Sequence, residues 1–163
     1  MSGWQGIIQS KLLNCVDKHG HNYTNCLESA VIIGEDGGLW GRSEGMLIGK
    51  RAEEVEGKGI VAVDEFKNIV SGFKNKGDCK IIGGYWINGE KYVSIGYDEG
   101  TKVLKLKKNG GGAIVAKIKT AYLIGTWADK NKMQKDGKDL QQNMPDATTA
   151  VEELQEELIK NGY

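Results

Sequence analysis

Between Lys80 and Trp127 the hydrophobic pattern switches to a period of two, and this constrains the fold more than any other feature of the chain. Residues 81–87, 91–97, 102–107, 113–119 and 121–127 each alternate as strands do. They are separated by Asn88-Gly89, Asp98-Glu99-Gly100, residues 108–112 and the very short Lys119-Thr120 connection. Links this short join only neighbouring strands running in opposite directions, so the region predicts an antiparallel meander. Glycine abundance supports the same reading: 24 glycines against one proline, Pro145, favour tight turns over proline-rich linkers.

The flanks read as helices and one hairpin. Ser2 and Gln5 fit a capping box, and Trp4, Ile8, Leu12 and Cys15 recur at helical spacing, predicting a first helix to about Val16. Residues 17–25 are a polar loop. Residues 27–34 then predict a strand, which Asp36-Gly37-Gly38 returns through residues 39–41. The stretch 42–59 is charged and punctuated by glycine. Ile60, Val63, Phe66, Val70 and Phe73 share one face of a second helix that ends at residues 74–77. Residues 129–146 read as a lysine-rich loop, long enough to be functional or mobile. Thr149 and Glu152 form a second capping box, and Val151, Leu154 and Leu158 supply the buried stripe of a last helix. A sheet with helices at both chain ends buries its two faces by packing helices on each. The expectation is one α+β domain over residues 1–163.

Charge and chemistry narrow the function by exclusion. The formal net charge is zero, which gives no bulk electrostatic case for nucleic acid or membrane binding. Three cysteines at irregular spacing do not make a secreted disulfide framework, and no signal peptide or membrane-length apolar span is evident, so the cytoplasm is the expected compartment. Cys15, His19, His21 and Cys26 are four zinc-ligand types in a short stretch, but without the tight cysteine pair of structural zinc sites they read as buried thiols and solvated loop histidines. Cys79 has no partner nearby in sequence. Both histidines lie in one polar loop, and Gly110-Gly111-Gly112 precedes a strand, not a helix. The chain therefore offers neither a nucleophile–base pair nor a phosphate cradle, and no enzyme or cofactor is expected.

Five segments, taken in order, resemble the profilin family. They are Ser2-Gly3-Trp4-Gln5, the run from Ala30 through Glu35-Asp36-Gly37-Gly38 to Leu39-Trp40, the run from Gly84-Tyr85-Trp86 to Lys91-Tyr92, the run from Lys107-Lys108 to Gly112, and the end from Glu156 to Tyr163. The resemblance implies a sheet with the N- and C-terminal helices on one face and shorter helices on the other. It also implies a monomeric, cytoskeletal protein that binds monomeric actin, proline-rich segments of assembly factors and acidic phosphoinositide headgroups.

By the same resemblance Trp4, Trp40 and Tyr163 line a polyproline groove, in which Ile7 and Glu157 replace two rings and weaken binding. An aromatic groove suits polyproline because flat rings complement proline rings. The bland alternative is that these aromatics only pack the terminal helices on the sheet. For actin, the resemblance assigns Lys91, Lys105, Lys107, Lys108, Lys117 and Glu153. Simple alternation would turn Leu104, Leu106, Ile114, Ala116 and Ile118 inward and Val103, Lys105, Lys107, Val115, Lys117 and Lys119 outward, with Lys105 beside Lys117. Such paired like charges suit an acidic partner, whereas the bland alternative is solubility. Gly96 stands where the family carries an arginine, and residues 129–146 exceed the family's usual connection. A non-actin interaction scaffold of the same sandwich shape is the competing class.

Overall fold

The computed structural model describes residues 3–77 and 85–163. In chain order the elements begin with α1 (Gly3–Ile7), a π-helical segment (Ile8–Leu13), β1 (Cys15–Val16), β2 (Asn22–Thr24), β3 (Ser29–Gly34) and β4 (Leu39–Arg42). Next come β5 (Lys50–Val55), β6 (Gly59–Asp64), α2 (Glu65–Lys74), β7 (Tyr85–Ile87) and β8 (Glu90–Asp98). The remainder is β9 (Val103–Lys108), β10 (Gly111–Lys117), β11 (Ala121–Ala128), β12 (Lys132–Lys135), β13 (Lys138–Gln141) and α3 (Met144–Lys160).

Among the described residues, seven strands form one antiparallel sheet in the order β4-β3-β11-β10-β9-β8-β7, with the expected meander as its larger part. Both faces are covered. Side chains paired across the strands share a face, so Ala30, Gly125, Ile114 and Lys105 look one way while Val31, Ile124, Val115 and Leu104 look the other. The first face carries a core of Leu12, Ile32, Ile114, Leu123, Val151 and Leu154 under the terminal helices. The second carries Ile69, Tyr85, Leu104, Leu106, Val115 and Ile124, with Phe66, Val70 and Phe73 of α2 packed against it. This is the α+β sandwich expected from the sequence. It also explains why every residue of β3 and β11 is buried: alternate side chains enter two cores, and neither face meets water.

Five local expectations need correction. Residues 59–64 are strand β6, paired with β5 through a tight turn in which Gly57 and Gly59 both take positive φ (77° and 75°). Asp64 caps α2 by accepting from the Lys67 amide at 3.1 Å. Ile60 matched the helical period by coincidence and is 72% exposed.

The first helix stops at Leu13, and Cys15 begins a strand. Ser2 lies outside the described residues; Gln5 does not turn back to cap but grips the Arg42 backbone, its Oε1 accepting from the amide at 3.1 Å and its Nε2 donating to the carbonyl. Of the run 81–87, residues 85–87 form β7 and the rest lie outside the described residues.

The stretch 129–146 is not a loop. Asp136 and Gly137, at φ 52° and 79°, turn β12 into β13, and β12 pairs with β2 inside what reads as a loop at residues 17–25. Met133 enters the core at 2% exposure. Nor does Thr149 cap the last helix. Asn143 does, accepting from the Asp146 amide at 2.9 Å just after β13 ends at Gln141, and Pro145 in the first turn supplies a preset φ, while the Thr149 hydroxyl donates to the Pro145 carbonyl at 3.0 Å.

Candidate functional sites

The aromatic side chains at the chain ends meet at one corner. Trp4 lies on α1, which Gln5 ties to β4, and β4 carries Trp40. Tyr163 arrives from the other end of the sequence. Gly162 takes φ 91° after the last helical turn, so the chain folds back, the Tyr163 amide donates to the Leu158 carbonyl at 3.0 Å, and the Lys119 amide donates to the Tyr163 carbonyl at 3.3 Å. The centroid separations are 4.7 Å for Trp4–Trp40, 5.2 Å for Trp4–Tyr163 and 6.4 Å for Trp40–Tyr163, the last two edge-to-face. Gly41 makes this possible, since a Cβ there would press on the Trp4 backbone and on Ile8 at 3.1 Å.

A groove of about 320 Å³ runs from the rings along the helix pair, lined by Trp4, Ile7, Lys11, Glu157 and Tyr163 among others. The two expected substitutions therefore sit in the groove with Trp4 and Tyr163. Ile7 adds an aliphatic wall. Glu157 is engaged by Lys11 at 3.5 Å, so a charged pair spans ground that rings would otherwise cover. The rings pack the terminal helices and still leave a concave surface beside them.

The lysines divide differently. Lys91, Lys107 and Lys108 line one shallow hollow of about 420 Å³ with Val93 and Asn109. Lys105 shares the strand face of Lys107, two residues away on β9, opposite Gly96 of β8 and Ile114 of β10. Lys108 is held from below. Its ammonium lies 5.5 Å from the Tyr92 ring and 3.8 Å from Glu90, and burial pushes the Tyr92 phenol up, keeping that ring neutral.

Lys117 does not pair with Lys105. It is opposite Tyr122 and looks toward the α2 face, with its ammonium 5.4 Å from the Tyr122 ring and 3.6 Å from Glu35. Simple alternation does not sort these residues because both faces are interior: Val103 and Val115 are buried, not outward, and Leu104 and Ile114 point to opposite cores.

Glu153 also stands apart from the lysine hollow. It lines a separate cavity of about 280 Å³ with Lys11, Cys15, Asp17 and Lys18, between the first and last helices. The other flank of α3 is fixed by Gln155, which donates to the Thr101 and Lys117 carbonyls at 2.6 and 3.0 Å. Glu152, one turn earlier on that flank, is a further acidic group of α3 and does not cap the helix. The histidine–cysteine stretch is dispersed. His21 Nδ1 is 2.7 Å from Asp136, Cys15 and Cys26 are core thiols, and no cluster of metal-ligating groups occurs among the described residues.

A sheet with terminal helices on one face, a third helix on the other, and aromatic rings from both chain ends at one corner is a restrictive combination. The family description "Profilin" matches residues 2–163. The chain belongs to the profilin family. Profilin of Tetrahymena pyriformis is 30% identical over the whole of both chains, and profilin-A of Physarum polycephalum is 30% identical over 98% of each. Among solved structures, Acanthamoeba castellanii profilin IA superposes with a TM-score of 0.66 at 23% identity, covering 99% of this profilin and all of its own chain. Profilins are actin-binding regulators of actin assembly. No helix among the described residues is long and apolar enough to cross a membrane.

Proposed function

We propose that this profilin binds monomeric actin and regulates filament assembly, with the hollow of Lys91, Lys107 and Lys108, extended by Lys105, as its basic contact. The observation that carries the reading is full-length family membership. The clustering of these lysines around exposed Val93 supports it, since cations beside an apolar patch suit an acidic protein surface. Lys117 and Glu153 stand outside this contact. Binding at the barbed-end side of the monomer would suppress spontaneous nucleation while still delivering subunits to growing filaments, and the role needs no catalytic group. Pyrene-actin polymerisation tests it: a concentration-dependent lengthening of the nucleation lag is expected, and an unchanged lag at large excess overturns the reading.

The aromatic corner is the docking place for proline-rich segments of assembly factors, with affinity reduced by Ile7 and the Lys11–Glu157 pair. Acidic phosphoinositide headgroups are drawn to the same lysines and should compete with actin, an effect that weakens with salt. Co-sedimentation with phosphoinositide-containing vesicles at two ionic strengths tests this; binding indifferent to salt overturns it.

A further inference from the structure

Two thiols lie beneath the first helix, apart from the aromatic corner and the lysine hollow. Cys15 opens β1 and Cys26 lies just before β3. The pairing of Cys15 with Tyr23, and the 2.9 Å bond from the Cys26 amide to the Leu13 carbonyl, fold these two short segments against each other. Their side chains are neighbours in the core cluster under the terminal helices. Access to the two is unequal. Cys26 is fully enclosed, and its Sγ also lies 3.2 Å from the Leu12 carbonyl. Cys15 lines the 280 Å³ cavity with Lys11, Asp17, Lys18 and Glu153.

One thiol that a small oxidant can reach, with a second as its buried neighbour, is the arrangement of an attacking and a resolving cysteine. The geometry points to Cys15 and Cys26 as a reversible disulfide site, closed by hydrogen peroxide and reopened by a dithiol reductant. The hydrogen bond from Cys26 holds the Cys15 thiol below its usual range, while the same contact, together with burial, pushes the Cys26 thiol up. Cys15 is thus the first nucleophile.

In the first step the Cys15 thiolate attacks one peroxide oxygen, the O–O bond breaks, and the departing hydroxide takes a proton to give water and a sulfenic acid. In the second, the Cys26 sulfur attacks the Cys15 sulfur, and hydroxide leaves with the Cys26 proton as a second water. Two thiols lose two electrons and two hydrogens, and one peroxide becomes two waters.

The test uses the full chain under native conditions, with Cys79→Ser alongside because Cys79 lies outside the described residues. After treatment with a small molar excess of peroxide and alkylation, trypsin cuts after Lys11, Lys18 and Arg42, placing Cys15 on peptide 12–18 and Cys26 on peptide 19–42, while Cys79 falls on peptide 77–80. The expected product is 12–18 joined to 19–42, lighter by two hydrogens, equal in Cys79→Ser, and cleaved by dithiothreitol. Closing so short a loop should raise the melting temperature by on the order of 5–10 °C. In Cys26→Ser, dimedone should trap Cys15 as its sulfenic acid. Recovery of 12–18 and 19–42 as separate alkylated peptides, or a disulfide that includes Cys79, overturns the assignment. Both decisive readouts come from the unsubstituted chain and Cys79→Ser, so a Cys26 variant that failed to fold would not obscure them.

Discussion

The aromatic corner and the lysine hollow were expected from the same kind of resemblance, yet the fold treated them differently. All three rings expected at the corner meet there, within 6.4 Å of one another. Of the six charged residues expected at the actin surface, Lys117 turned to the opposite face of the sheet and Glu153 to another cavity. Large apolar rings at chain termini lower their free energy by burying area against each other, so packing itself draws them together. Lysines gain little from proximity to one another and reach water wherever they stand, so their location follows strand register and core assignment. A site built by packing is more legible in sequence than one built by charge.

The sharpest way to break this comparison is to remove a ring. Trp4→Ala should cost about 2–3 kcal/mol of folding stability, toward the lower end for a tryptophan because Trp4 is only half-buried, and should abolish polyproline binding as well. Urea denaturation reads the first effect. A loss under about 0.5 kcal/mol would mean that the corner does not staple the terminal helices.

Charge reversal should separate function from stability at the other surface. The pair Lys91→Glu and Lys107→Glu is expected to weaken actin binding by roughly 10- to 100-fold with stability unchanged within about 0.5 kcal/mol. Lys117→Glu should do the reverse, destabilising by about 1 kcal/mol through loss of the Tyr122 and Glu35 contacts while leaving actin affinity nearly intact. Equal actin losses from the two variants would show that the faces are wrongly divided.

A gain at the corner should be smaller. Ile7→Tyr together with Glu157→Tyr restores two rings to the groove and removes only an exposed ion pair, so polyproline affinity should rise by about tenfold or less. Titration followed by tryptophan fluorescence checks it. No gain, or tight binding before substitution, would refute the argument that these two positions limit the groove.

The smallest effect concerns the β12–β13 hairpin. Asp136 is held below its usual 3.8 first by the Asn22 amide and then by His21. Because the folded value lies below the unfolded one, its contribution is complete above about pH 4 and fades as pH falls through the folded value. Hydrogen exchange should accordingly show the Asn22 amide losing protection on acidification before the β10–β11 amides do. Simultaneous loss across both regions would show that the hairpin opens only with the whole fold.

Local chemistry alone determined the meander, the return turn at Asp36-Gly37-Gly38, the apolar stripes of the terminal helices and the aromatic ends, because alternation, turn residues and helical spacing act between neighbours in sequence. Asp136-Gly137 carried a hairpin signal of the same kind, but its strands are short and polar. Their partner, β2, lies more than a hundred residues away, where no local period reveals it. Likewise Asn143, not Thr149, caps the last helix because the chain leaves the hairpin there, and Cys15 and Cys26 become neighbours only because β1 folds against the segment leading to β3. Above all, tertiary structure decided which strand faces are interior. Alternation shows that successive side chains part company, but only a second helical layer on the sheet tells whether the other side meets water or another core.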